Sequence, residues 1–320
     1  MAGPLDRRQQ RRHKLRNAVQ TGLLLAGMTV LLTVCAWLIA GWEGVLWAAI
    51  GGAVILAVTP KVTPGMVLAM YRARPLSPTL IPELYQSLAW IAERAGLPAV
   101  PRLYYVPSSM LNAFAVGNPA GAVVAVTDGL LRTLNLRELT AVLAHEISHI
   151  RNHDLWVMGL ADIISRLTRV MAFAGILLLA ISLPVWLAEQ GRVPVLLILV
   201  LLAAPSFGSL LQLALSRARE FDADLDAAGM TGDPAGLASA LQKMERVQGR
   251  FWEFLIPDQR IPDPSLLRTH PPTEERVARL MSLYAAQPGE PGMAAGRIAM
   301  PMSMPEIDRR PRRHANGLWY

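Results

Sequence analysis

The sequence predicts a mainly α-helical membrane protein, with four transmembrane helices and a small α+β unit outside the bilayer. Three observations carry this. Apolar residues make up 52% of the 320 residues while charged ones make up only 17%, against about 25% in a typical globular domain. The shortage of charge is concentrated in four long uncharged runs, and the net charge of +7 is concentrated near their ends. Whole-chain disorder is excluded, because disordered chains lack this much apolar surface. A disulfide scaffold is excluded too, since Cys35 is the only cysteine.

The runs are residues 17–42, 44–60, 170–188 and 193–215. A helix needs about twenty residues to cross a hydrocarbon core of ~30 Å, a length the second run reaches only marginally. Glu43 separates the first two, and Glu189, Gln190, Gly191 and Arg192 separate the last two. Both pairs therefore read as helical hairpins. Arg7, Arg8, Arg11, Arg12, Lys14 and Arg16 precede the first run. That run is too long for a signal peptide and lacks a small-residue cleavage site, so it reads as a retained anchor. Positive charge also follows the second run (Lys61, Arg72, Arg74) and the fourth (Arg217, Arg219). The positive-inside rule places the N-terminus, residues 61–169 and everything after Leu215 in the cytoplasm. The basic N-terminus has no interleaved aromatic residues or recognition motif, so no nucleic-acid partner is expected.

Between the hairpins, residues 79–95 have helical periodicity, with Leu80, Leu84, Leu88 and Ile91 on one side. Residues 102–106, 112–116 and 122–127 read as strands, the last two joined by a turn through Gly117, Asn118, Pro119 and Gly121. Asn135 is placed to cap a long helix starting near Leu136. After the fourth run come a helix through Ala228, a second from Pro234 to about Gln248 and a short third over residues 272–284. The chain thus divides into a basic N-terminus (1–16), a first hairpin (17–60), a cytoplasmic segment (61–169), a second hairpin (170–215) and a further cytoplasmic segment (216–286). A Pro-, Gly-, Met- and Arg-rich tail (287–320) follows and is expected to be flexible.

The chemistry is carried by His145-Glu146-Ile147-Ser148-His149. Positions four apart share a helix face, so the two imidazoles can hold one metal ion, with Glu146 beside them to take a proton from water. Two neutral nitrogens and one carboxylate suit zinc with an open fourth position. His153 does not qualify as a further ligand: at ~1.5 Å per residue it lies about 12 Å along the helix from His145. Arg137, Glu138, Arg151 and Asp154 flank the motif and place it in water or at the membrane interface. The missing ligand is sought in Ser216 to Asp224, where Glu220 and Asp224 are four apart. One can ligate the metal while the other orients a histidine.

The ordered combination of two spans, the HEISH segment, two further spans, SRAREFDAD at residues 216–224 and RTHPPTEER at residues 268–276 resembles the HtpX-type membrane metallopeptidases, relatives of the CAAX-prenyl proteases. Asn112-Ala113-Phe114 matches a segment of that family as well. The resemblance covers roughly residues 15–285. It implies a gluzincin-like metalloprotease domain with one zinc ion per chain, in a multi-pass protein of the cytoplasmic (inner) membrane. It implies His145, His149 and Glu220 as zinc ligands, Glu146 as general base, Asp224 behind a ligand histidine, and His270 near the site as an oxyanion donor. Asn112, Ala113 and Phe114 would form the strand that pairs with substrate. The implied substrates are proteins or peptides, misfolded or damaged membrane proteins in particular, cleaved as quality control under stress. A prenyl-protein processing protease and a non-enzymatic zinc-containing scaffold are the alternatives. The first needs a chamber of more helices than four, and the second has no use for Glu146. Oligomeric state is not legible.

Overall fold

The computed structural model describes residues 7–58, 63–189, 195–255 and 271–283. Three of its helices are long and apolar enough to cross a membrane. They lie within α1 (Arg7–Val58), α6 (Asp154–Glu189) and α7 (Val195–Thr231). The two N-terminal runs thus belong to one helical element, broken at Ala40 (φ −144°) and Gly41 (φ 58°, ψ −140°). Only glycine adopts the second conformation without strain. The chain doubles back there: a Cβ on Gly44 would fall 2.1 Å from the Ala36 carbonyl oxygen. Leu25 and Ile55 consequently pack against one cluster around Met28, Ile164 and Leu215. The turn sits at Gly41 rather than at the charged Glu43, because backbone freedom decides where a helix can reverse.

The second pair of helices overruns the expected spans at the ends remote from the 190–194 connection. Helix α6 starts at Asp154 and α7 runs on to Thr231. Charged residues do not interrupt the i→i−4 ladder, so a helix continues past the end of its apolar run. The packing is inverted relative to a water-soluble bundle. Trp42 and Leu196 are 75% and 76% exposed, while Asn17, Ser165 and Thr168 are buried. An outer surface of this kind is made for hydrocarbon. Inside, the Ser165 hydroxyl donates to Gln212 Oε1 at 2.8 Å and ties α6 to α7.

The remaining elements build the unit that carries the sheet. They are α2 (Pro64–Met70), β1 (Arg74–Pro75), α3 (Pro82–Ala95), β2 (Arg102–Val106), β3 (Ala113–Val116), β4 (Val123–Thr127), α4 (Asp128–Thr133), α5 (Leu136–Arg151), α8 (Pro234–Leu255) and α9 (Thr273–Ser282). Strand order is β1-β2-β4-β3, with β2 parallel to β4 and the outer pairs antiparallel. Strand β4 is buried at every position, because Val124 and Val126 face the main core while Val123 and Ala125 face a smaller one with Leu68. Helix α3 supplies Leu84, Leu88 and Ile91 to the main core. Leu80 is not part of that stripe: the helix begins at Pro82, and Leu80 lies before it, 40% exposed. Strand β1 escapes the alternation rule because two residues are too few to show a period.

Helix α5 lies between the sheet and α7. Asn135 Oδ1 accepts from the Glu138 amide at 2.9 Å, and Glu138 Oε2 accepts from the Asn135 amide at 3.0 Å. This reciprocal cap fixes the helix start. At the other end the helix stops at Arg151, and His153 turns the chain with φ 55°. His153 is exposed, but not as a residue further along the same helix. Glu138 and Asp154, two of the charges expected to set the motif in water or at the membrane interface, are 2% and 4% exposed. Each is buried against partners from distant segments.

Candidate metal centre

One turn of α5 separates His145 from His149, and their Nε2 atoms lie 3.2 Å apart. The rings stand at 89° to each other, so both nitrogens point to a common locus. Helix α7 crosses there. Glu220 Oε2 lies 3.5 Å from His145 Nε2, and Oε1 lies 3.7 Å from His149 Nε2. Tetrahedral zinc with bonds of about 2.0–2.1 Å holds neighbouring donors about 3.3–3.4 Å apart. The three side chains therefore fit that ion.

The other ring nitrogens each face a carboxylate. His145 Nδ1 is 3.0 Å from Asp224 Oδ1, and His149 Nδ1 is 2.7 Å from Asp154 Oδ2. The hydrogen bond from His149 Nδ1 to Asp154 leaves Nε2 of that ring to the metal. Glu220 thus faces the donor side of both histidines and Asp224 the back of His145, which separates two roles left open by spacing alone. Arg276 reaches from α9 to bind both oxygens of Asp224, at 2.7 and 2.6 Å, and approaches Glu220 Oε2 at 3.4 Å. Arg219 Nε donates to Asp154 Oδ1 at 2.6 Å.

The electrostatics favour a cation. Burial alone would lower the pKa of His145, but Asp224 and Glu220 outweigh it and push it up to about 10. A divalent ion supplies the positive charge these carboxylates stabilise while leaving the imidazole neutral. Burial also pushes the Glu146 carboxyl above the usual carboxylate range, against the pull of His145 and His149. A carboxylate of raised basicity is the better proton acceptor near neutral pH.

Strand β3 is an outer strand of the sheet and packs beside α5, the helix that carries Glu146. Asn112 and Thr127 pair through the Thr127 amide and the Asn112 carbonyl at 3.1 Å. Hydrogen-bonded pairs alternate along an antiparallel ladder. With Ala113 opposite Val126 and Ala115 opposite Val124, the peptide groups of Ala113 and Ala115 therefore face the outer edge. Asn112 itself is exposed, Ala113 is buried and Phe114 packs on Tyr71 with ring centroids 4.8 Å apart. His270 lies outside the described residues.

Sequence reasoning misses Asp154, Arg219 and Arg276. The single available signal is that two arginines occur inside the very segments singled out for their acidic and histidine residues. A buried carboxylate needs a partner, and the motifs by themselves assign none.

Residues 79–283 match the Peptidase family M48. A protease HtpX homologue from Paraburkholderia phytofirmans is 37% identical over 288 residues, spanning 83% of this chain and 97% of the relative. One from Ralstonia nicotianae is 37% identical over 294 residues, spanning 85% and 98%. The crystal structure of S. mikatae Ste24p is similar with a TM-score of 0.47 and 18% identity, over 84% of this chain and 66% of that one. With an M48 match over most of its length, helices fit to cross a membrane and a His-His-Glu cluster, the chain belongs to peptidase family M48 and is a membrane-bound zinc metalloprotease.

Proposed function

We propose that the chain is a cytoplasm-facing endopeptidase of the inner membrane, with one zinc ion held by His145, His149 and Glu220. The observation that carries this reading is the convergence of two Nε2 atoms and one carboxylate, with each Nδ1 backed by a second carboxylate. Bound there, zinc supplies Lewis acidity for the scissile carbonyl and brings the pKa of water towards neutrality. Glu146 takes the proton of the attacking water and passes it to the leaving amine. An extended substrate adds to the outer edge of β3, where the Ala113 and Ala115 peptide groups offer hydrogen bonds. His270 is the proposed oxyanion donor. Its support is that Arg276 anchors α9 to Asp224 a few residues beyond it.

Four membrane passes are supported by the reversal at Gly41 and by the positive charges flanking the apolar runs. The proposed substrates are misfolded or damaged membrane proteins. Replacing Glu146 by Gln tests the mechanism: cleavage of an unfolded reporter protein should disappear while zinc remains bound. Retained cleavage excludes Glu146 as the base.

A further inference from the structure

Asp154 stands where two duties meet. It is the first residue of α6, follows the left-handed turn at His153 (φ 55°) and is 4% exposed. Its Oδ2 holds His149 Nδ1 at 2.7 Å and its Oδ1 receives Arg219 Nε at 2.6 Å. Arg219 Nη2 also reaches Asp222 Oδ2 at 3.0 Å. A line of polar contacts thus leads from His149 through the start of α6 to α7. The two histidines differ in this respect. Asp224, behind His145, shares α7 with Glu220, so those two groups move together. Asp154 lies on α6, and Arg219 joins it to α7. A relative shift of α6 against α7 therefore displaces the partner of His149 and not that of His145.

We propose that Asp154, held by Arg219, is a positioning residue for His149, so that the packing of α6 against α7 sets how tightly the centre holds its metal. The carboxylate keeps the proton on Nδ1 and the lone pair on Nε2, and makes the imidazole a stronger donor. Without Arg219, Asp154 is a buried charge lacking its counter-ion, and its carboxylate is no longer held against His149.

This inference rests on the zinc site proposed above, and the test keeps the two apart. Zinc dissociation constants are measured on the full-length protein in nanodiscs by competition with a chromophoric chelator. The melting temperature of the metal-free protein and the visible spectrum of the cobalt-loaded protein are recorded alongside. Asp154→Asn should raise the zinc dissociation constant about 10- to 100-fold, with a shifted cobalt spectrum and a little-changed metal-free melting temperature. Arg219→Met should weaken zinc in the same direction, and the double variant should be no weaker than Asp154→Asn alone, because one residue acts through the other. Asp162→Asn, on the same helix but paired with the exposed Arg166, should leave zinc affinity unchanged. A zinc affinity within about twofold of wild type in Asp154→Asn overturns the proposal, as do additive penalties in the double variant or an equal loss in Asp162→Asn. A wild-type protein that binds no zinc overturns the site itself.

Discussion

Arg276 grips Asp224 through two nitrogens, at 2.7 and 2.6 Å, and both residues are buried, at 7% and 3% exposure. Breaking such a pair leaves an uncompensated buried charge, which costs about 3–5 kcal/mol. Arg276→Met should therefore lower stability by that order in chemical denaturation. It should also weaken zinc, because Asp224 loses the geometry that holds His145. A neutral Asp224→Asn/Arg276→Met pair should recover part of the stability, and zinc affinity only if the orientation of His145 is restored.

Glu220→Ala should raise the zinc dissociation constant at least about 100-fold, beyond the loss typical of residues that only touch a ligand. Elemental analysis after dialysis checks it, and unchanged stoichiometry removes Glu220 from the ligand set. By contrast, Glu146→Gln should keep its zinc and lose about 10²–10⁴ in kcat/KM. Phenanthroline should abolish wild-type cleavage, and added zinc should restore it.

The metal-free protein should hold a proton on His145. Its pKa of about 10 when folded lies above the unfolded value of about 6.5. That proton contributes fully to stability below the unfolded value, and the contribution is lost as pH rises through about 10. Zinc must displace it, so binding at pH 8 should release about one proton and tighten about tenfold per pH unit through this window. Calorimetry in buffers of different ionisation enthalpy measures the proton directly.

Burial alone would raise the pKa of Glu138, but Lys243 at 2.8 Å, Ser239 at 2.6 Å and the Asn135 amide at 3.0 Å hold it below the usual range. A depressed folded value stabilises the protein above the unfolded pKa, and the stability is lost as pH falls through the folded one. Glu138→Gln should cost about 1–3 kcal/mol at pH 7. Melting curves of variant and wild type should converge in acid.

Reporter fusions after Ala95 and after Gly191 test the orientation. The first should report the cytoplasm and the second the far side of the membrane. A far-side signal after Ala95 reverses the proposed topology.

What can be read from the sequence is local or periodic. The strand at residues 102–106 has the predicted bounds and Asn135 caps the predicted helix, because alternation and capping act within a few residues. His145, His149 and Glu220 are legible as two short motifs, and the fold has only to bring α7 across α5. Asp154 is not legible, because in the sequence it is one of the charges flanking the motif, whereas the chain turns at His153 and brings the carboxylate to the ring. Arg276 has no readable role, since only tertiary packing sets it beside Asp224. The reversal at Gly41 is displaced to Glu43 in the sequence reading, where charge is the visible cue and the φ requirement is not.

The order of the donors along the chain has a consequence for biosynthesis. His145 and His149 precede α6, and Glu220 comes only after the chain has passed through α6 and most of α7. A nascent chain that ends before Glu220 carries two donors and lacks the third. The three-donor cluster is therefore complete only once α7 has been synthesised and lies beside α5.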